Sequence, residues 1–226
     1  MITKGRLVAA LGFGFVALAA ASPVRAELNV FACEPEWAAL ANEIGGDKVT
    51  VFTATTAHQD PHQVQARPAL IARLRAADLA VCTGAELEIG WMPVLLRQAA
   101  NGRVQPGSPG YFEAAQQVRL LEVPTRLDRA EGDIHPAGNP HIQTDPRNIW
   151  RVSAALSRRM AELDQTDAAV FAARAQDFAG RWTVSLRRWT AAAAPFRGAS
   201  VAAYEDWLGL REAATIEPKP GIPPGS

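Results

Sequence analysis

The sequence has little of several features that mark common protein classes. Its 226 residues include only two cysteines and four histidines, and its 23 basic side chains are matched by 23 acidic ones. This balance leaves no excess positive charge for binding a polyanion such as nucleic acid. The sequence also has no nucleophile elbow and no phosphate-binding glycine loop. These absences argue against a nucleic-acid-binding protein and against the commonest hydrolase and nucleotide-binding motifs.

A long apolar run occurs only near the N-terminus. Lys4 and Arg6 precede the apolar residues 7–21, and the small residues around Arg25 follow them. This order of charged, apolar and small residues is typical of a secretory signal peptide, so residues 1–26 are predicted to be removed on export. An uncleaved membrane anchor is the alternative, but the run is shorter than the ~20 apolar residues that a span needs.

The rest of the first half alternates between strand and helix patterns. Strands are predicted at residues 28–32, 49–53, 78–82 and 118–123, and helices at 37–44, 68–74 and 86–100, the last interrupted near Pro93. Alternation of this kind predicts an α/β fold, with a four-stranded parallel sheet flanked by helices on both faces.

The second half is predominantly helical. Asp145-Pro146 is a helix start signal, and few helix breakers follow before Pro195. We predict a short helix and then a long one over residues 166–194. A last strand candidate, residues 199–204, begins what looks like a second α/β unit.

The four histidines fall in two loops of the predicted α/β unit. His58 and His62 follow the second strand, and His135 and His141 follow the predicted fourth strand. Ligands bind at the carboxyl edge of open parallel sheets, so these loops can converge there. Neutral imidazole is a common zinc ligand, which makes a shared metal site one interpretation. The other interpretation is that these histidines are solvated loop residues that bind no metal.

The two cysteines each end a predicted strand. Neighbouring parallel strands lie ~4.8 Å apart, close to the Cα separation that a disulfide needs. Cys33 and Cys82 are therefore predicted to pair in an oxidising compartment, provided that their strands are adjacent. Two buried thiols are the alternative.

Several strings together resemble the periplasmic zinc/manganese solute-binding proteins of ABC importers, the metal-binding cluster A-I family. The strings are Cys33-Glu34-Pro35-Glu36-Trp37, Gln59-Asp60-Pro61-His62, Ala66-Arg67-Pro68, Cys82-Thr83-Gly84-Ala85-Glu86-Leu87-Glu88, Gly138-Asn139-Pro140-His141 with Asp145-Pro146, and Glu217-Pro218-Lys219-Pro220-Gly221. The resemblance implies two α/β lobes joined by a long helix, with one divalent ion bound between them and no enzymatic activity.

By this resemblance, His62 and His141 are the metal ligands from the N-terminal lobe, and His58 and His135 are auxiliary or surface residues. The implied organisation is a metal-binding lobe at 27–145, a helical linker at 146–195 and an incomplete start of a C-terminal lobe at 196–226. The implied ligand is Zn²⁺, with Mn²⁺ less favoured. The implied partner is an ABC transporter membrane permease, and the implied form of this protein is a monomer in the periplasm.

The sequence departs from the family pattern after the last strand candidate. Family members have a histidine there, but Tyr204 is followed directly by Glu205, which becomes the candidate replacement ligand. The chain also stops where members continue with most of the second lobe. A truncated remnant with weak or no metal binding is therefore an alternative function, and a secreted zinc hydrolase is a less favoured one.

Overall fold

The computed structural model describes residues 27–124 and 135–197. The predicted signal peptide at 1–26, the candidate ligand Glu205 and the last strand candidate at 199–204 lie outside these residues. The strands are β1 (Leu28–Ala32), β2 (Val49–Thr53), β3 (Leu79–Cys82) and β4 (Tyr111–Glu113); the helices are α1 (Pro35–Gly45), α2 (Pro68–Ala76), α3 (Met92–Ala99), α4 (Pro146–Leu163) and α5 (Ala168–Ala193).

The four strands form one parallel sheet in the order β2-β1-β3-β4. The first strand therefore lies inside the sheet, between β2 and β3, and the chain crosses over it once, on the way from β2 to β3. All four strands point the same way, so the loops that follow them leave from one edge. The predicted α/β fold with a four-stranded parallel sheet is confirmed.

Each face of the sheet has its own hydrophobic core. Along β1, Leu28, Val30 and Ala32 point to one face, where α1, α4 and α5 cover them. Phe31 and Cys33 point to the opposite face, where α2 and α3 pack. This alternation follows from the two-residue repeat of a strand. Burial on both faces holds the sheet rigid and thereby fixes the positions of its loops.

The predicted position of the fourth strand is wrong. The β-ladder forms at Tyr111–Glu113, which pairs with β3, and residues 118–123 form no strand. Val118 and Leu120 instead pack partly buried against the core without pairing to a neighbour. Gly110 explains why the strand forms at 111–113, because a Cβ atom at this position would lie 2.5 Å from the carbonyl oxygen of Asp78. Only glycine lets the chain approach β3 at this point.

The predicted start of the third helix is also wrong. Residues 86–91 form turns, with Ala85 and Glu86 at positive φ, and α3 begins only at Met92. Pro93 therefore lies in the first turn of the helix, where its missing N–H has no intrahelical partner to lose. The proline starts this helix and does not interrupt it.

The second half contains the two predicted helices. Asp145 caps α4 by accepting a hydrogen bond from the Arg147 backbone N–H at 2.9 Å, and Pro146 occupies the first helical position. The helices α4 and α5 are 18 and 26 residues long, so the first is longer than the short helix expected. Within residues 27–124 and 135–197, no helix combines the length and hydrophobicity that a membrane span requires.

Candidate metal centre

The loop after β2 carries His62 to the carboxyl edge of the sheet. The loop begins with Thr55, whose N–H and hydroxyl both donate to the carbonyl of Cys33, at 3.2 and 2.8 Å. Asp60 then accepts two bonds from His62, one from the backbone N–H at 2.9 Å and one from Nδ1 at 2.8 Å. With Nδ1 engaged by this carboxylate, Nε2 of the imidazole is left to face a metal.

Electrostatics keep Asp60 in its charged form. The backbone N–H of His62, followed by its side chain, lowers the pKa of the Asp60 carboxyl below its usual value. An ionised carboxylate holds the His62 ring in one orientation and raises the basicity of Nε2. Asp60 is thus a positioning residue for His62.

The loop after β3 supports the same histidine from the other side. The indole N–H of Trp91 donates to the carbonyl of Pro61 at 2.8 Å, and Trp91 itself is buried. A Cβ atom on Gly90 would lie 2.7 Å from the carbonyl oxygen of His62. The Pro61–His62 peptide is therefore held between its own loop and the loop that precedes α3.

The loop that carries His135 and His141 is folded by glycine and asparagine. Gly138 has φ +112°, and a Cβ atom there would lie 2.7 Å from the carbonyl oxygen of Leu121. Its N–H donates to the carbonyl of His135 at 2.9 Å. Asn139 accepts a bond from the His141 backbone N–H at 2.9 Å. These contacts turn the chain so that both histidines face the same side of the loop.

Three half-buried imidazoles meet at this edge. Nε2 of His62 lies 3.3 Å from Nε2 of His135, and their ring centroids are 5.3 Å apart. The ring of His141 meets that of His62 edge-on, with centroids 5.7 Å apart. The structure thus brings together His62, His135 and His141.

The other two candidate ligands do not join this cluster in the structure. His58 lies exposed on the same loop as His62 and makes no hydrogen bond or ring contact with any residue in the described ranges. Glu205 lies outside the described residues. His135, which the resemblance treats as an auxiliary or surface residue, lies with its Nε2 atom 3.3 Å from Nε2 of His62.

Cys33 and Cys82 form a disulfide, with their Cα atoms 4.8 Å apart. Cys33 directly follows β1 and Cys82 is the last residue of the adjacent strand β3, so the adjacency that the prediction needed is present. Within the part of the chain that the structure describes, Cys33, Cys82 and Glu88 are the one trio of metal-binding types whose donor atoms lie within 4.8 Å of one another. Because both sulfurs are bonded to each other, this trio is not a metal site in the oxidised protein.

Sequence reasoning missed the residues that position the ligands. Asp60 stands two residues before His62 in the quoted Asp60-Pro61-His62 string, and this spacing was the signal available for its role. Trp91 and Gly138 gave no such signal, since each acts through a backbone carbonyl that is distant in sequence. A parallel α/β lobe with a histidine cluster at its carboxyl edge, followed by a long helix, has the features of a metal solute-binding protein.

Comparison with known proteins supports this class. A model of the family described as ZnuA, zinc-uptake complex component A, periplasmic, matches residues 30–220. The chain belongs to this family, whose members are solute-binding components and not enzymes. The hydrolase alternative therefore has no support.

Two curated relatives and one solved structure are similar to this chain. The metal ABC transporter substrate-binding lipoprotein ScbA of Streptococcus cristatus is 25% identical over 71% of this chain and 52% of its own length. The manganese ABC transporter substrate-binding lipoprotein scaA of Streptococcus gordonii is 24% identical over 74% of this chain and 54% of its own. The chain spans about half the length of these curated relatives.

One of the similar solved structures is a ZnuA deletion mutant with zinc bound. Its TM-score is 0.70 at 20% identity, and the alignment covers 87% of this chain and 73% of that one. At this level of identity the match supports the fold alone.

Proposed function

We propose that this protein captures a divalent metal ion outside the cytoplasm, with Zn²⁺ as the preferred ion, and that His62, His135 and His141 are its ligands in the N-terminal lobe. The observation that carries the proposal is the distance of 3.3 Å between Nε2 of His62 and Nε2 of His135. Two nitrogens that each lie ~2.0–2.1 Å from one tetrahedral zinc ion are separated by ~3.3–3.4 Å. The two imidazoles thus have the spacing of a chelating pair without an ion between them.

The third histidine fits the same geometry after a small movement. Imidazoles on one zinc ion have ring centroids separated by roughly 5–5.5 Å, given the ~2.0–2.1 Å Zn–N bond. The His62–His141 centroid distance is 5.7 Å. A modest rotation of the His141 side chain therefore completes a three-nitrogen shell, and a water molecule or a further protein ligand such as Glu205 takes the fourth position.

The donor set favours zinc over manganese. Imidazole suits zinc, whereas manganese prefers carboxylate and water oxygens, and zinc also forms the more stable complexes with a given nitrogen site. The family is described by zinc uptake, while scaA is named for manganese. Three imidazoles with at most one carboxylate support Zn²⁺ as the cargo and Mn²⁺ as the weaker ligand.

We propose a division of the chain into four segments. Residues 1–26 act as the signal peptide that directs the protein to the periplasm, and residues 27–145 form the metal-binding lobe. Residues 146–195 form the helical linker, and residues 196–226 begin a second lobe. The loaded protein delivers its ion to an ABC-type permease in the membrane, a role supported by the relatives named as ABC transporter substrate-binding lipoproteins.

Calorimetric titration of the chain purified from a periplasmic fraction tests this function. We expect one Zn²⁺ ion per chain and weaker binding of Mn²⁺ under the same conditions. Recovery of the protein only from the cytoplasm would contradict the proposed location. Failure to bind either ion in the purified, folded chain would support the alternative of a remnant without metal-binding function.

The roles of the two subsidiary histidines differ in a measurable way. His135→Ala removes one nitrogen of the 3.3 Å pair, so we expect Zn²⁺ affinity to fall by about 10²-fold. His58→Ala removes an exposed imidazole from the loop of His62 and is the matched control, for which we expect a change of about twofold or less. Equal losses in the two variants, or a larger loss in His58→Ala, would remove His135 from the ligand set.

A further inference from the structure

Two glutamates lie buried against each other where β1 and β3 end. Glu34 follows the disulfide residue Cys33 and is 3% exposed, and Glu88, in the loop after β3, is 4% exposed. Both carboxyl groups accept the backbone N–H of Thr83, Glu34 at 3.3 Å and Glu88 at 2.7 Å, so the two groups lie side by side. Two ionised carboxylates this close together in a buried site repel each other, whereas a proton held by one of them removes the repulsion and allows it to donate a hydrogen bond to the other.

We propose that Glu34 and Glu88 share one proton and that the resulting carboxyl–carboxylate bond fastens the carboxyl ends of β1 and β3. The bond makes the stability of this lobe depend on pH, and the proposal does not depend on metal binding.

The surrounding donors assign the proton to Glu34. Glu88 accepts the backbone N–H of Thr83 at 2.7 Å and that of Gly84 at 3.1 Å, so its carboxylate is satisfied as an acceptor. Glu34 accepts the Thr83 hydroxyl at 3.1 Å through Oε2, whereas its Oε1 is buried without a donor from any described residue. A proton on Glu34 turns this oxygen into a donor toward Glu88.

The position of Thr83 is itself fixed. The indole N–H of Trp37 donates to its hydroxyl at 2.7 Å, and all of these groups are buried. Trp37, on α1, therefore holds the acceptor network from the opposite side of Thr83. Because the network is buried, loss of the shared proton leaves two negative charges side by side in surroundings of low polarity.

The charged and titratable neighbours oppose a second negative charge. Burial, then the charge of Glu88, raises the pKa of Glu34 well above its usual value, and Glu36 on α1 adds to this rise. Burial raises the pKa of Glu88 to about 7, although the hydrogen bond from Glu34 opposes the rise. On β4, burial raises the pKa of Tyr111, and the charge of Glu113 adds to the effect. All of these neighbours are acidic, so none of them offers a positive charge to balance a second negative charge on the pair.

The raised values give the direction of the pH dependence. Above about pH 4.5 the unfolded chain releases protons that the native pair retains, so the native state binds more protons than the unfolded state. The contribution of the pair to stability is therefore greatest at acidic pH and is lost as the pH rises through the raised pKa of Glu34, which holds the proton. Asp47 and Asp60 have lowered pKa values and titrate at more acidic pH, outside this range.

The pair also bears on the proposed metal centre. The Glu88 carbonyl accepts the backbone N–H of Trp91 at 3.1 Å, and the Trp91 indole holds the carbonyl of Pro61 at 2.8 Å, next to His62. This consequence rests on the proposed function, whereas the pH dependence of folding is measured without metal. The two claims can therefore fail separately.

Urea unfolding of the metal-free chain at a series of pH values tests the proposal. For the natural chain we expect the unfolding equilibrium constant to rise by up to about tenfold per pH unit between pH ~5.5 and ~6.5. Glu34→Gln keeps an acceptor for Thr83 and provides a permanent donor for Glu88. Its unfolding equilibrium constant should therefore equal that of the natural chain near pH 5 and should change much less with pH. The four histidines are common to both chains and cancel in the comparison.

Two further measurements keep the test decisive. Glu86→Gln, at an exposed glutamate in the same loop as Glu88, is the matched control and should retain the slope. Carboxyl ¹³C NMR of the native chain should show a buried glutamate that titrates near or above pH ~6, independently of any variant. Retention of the full slope in Glu34→Gln, or two buried glutamates that both titrate near pH ~4.5, would overturn the shared proton.

Discussion

His62→Ala is expected to weaken Zn²⁺ binding by about 10²–10³-fold. A complete structural zinc shell contributes ~10–16 kcal/mol, so each of its four ligands is worth roughly 2.5–4 kcal/mol. His62 is central to the cluster because its ring contacts both of the other imidazoles. The substitution therefore removes a ligand and also removes the ring that contacts both His135 and His141.

Competition with a zinc chelator of known affinity measures this loss. Gln63→Ala is the matched control, because Gln63 is an exposed neighbour of His62 on the same loop. We expect Gln63→Ala to bind as the natural chain does, and both variants to unfold at similar urea concentrations without metal. An affinity within about threefold of the natural value in His62→Ala would show that the ion binds elsewhere.

Replacement of both cysteines by alanine is expected to lower the free energy of unfolding by about 2–4 kcal/mol. The disulfide closes a loop between residues 49 apart in sequence, and this loop contains α1, β2, α2 and β3. In the unfolded chain the bond removes much of the freedom of that loop, so its loss favours unfolding. The cost is large because the bond also joins the ends of two central strands.

Guanidinium unfolding followed by circular dichroism measures the cost, with and without a dithiol reductant. The natural chain under reducing conditions should unfold close to the midpoint of the Cys33→Ala/Cys82→Ala variant, and reductant should leave the variant unchanged. Identical midpoints for the oxidised natural chain and the double variant would mean that the disulfide contributes nothing to stability.

Much of the fold was predictable because the strong patterns are local. The residues of β1 and β2 were predicted with the observed bounds, since short apolar runs between breakers specify buried strands. The helix α5 was predicted within two residues at each end from its long stretch without breakers. These patterns also placed the loop of His62 after β2, whereas the loop of His135 and His141 was placed after a strand at 118–123 that does not form.

What could not be predicted depends on contacts that are distant in sequence. The strand β4 has only three residues, and its place is set by the close approach of Gly110 to Asp78, which no local pattern records. The burial of Glu34 and Glu88 runs against their charge and is made possible by donors from Thr83 and Gly84. Local reasoning assigns such residues to the surface.

The candidate site was partly predictable for a related reason. His62 and His141 were singled out by the motifs around them, and the structure brings their rings together. The position of His135 was not predictable, because it depends on the turn at Gly138 and its contact with Leu121. Sequence spacing alone cannot show that His135 is a better candidate ligand than His58.

X-ray absorption at the zinc edge of the one-to-one complex tests the central claim most directly. Ligation by His62, His135 and His141 predicts a shell of nitrogen and oxygen at ~2.0–2.1 Å, with outer-shell scattering from three imidazoles. His135→Ala should reduce that scattering to two imidazoles. A sulfur shell at ~2.3 Å would instead point to Cys33 and Cys82, the rival trio with Glu88, and would contradict the histidine site, as would a shell without imidazole scattering.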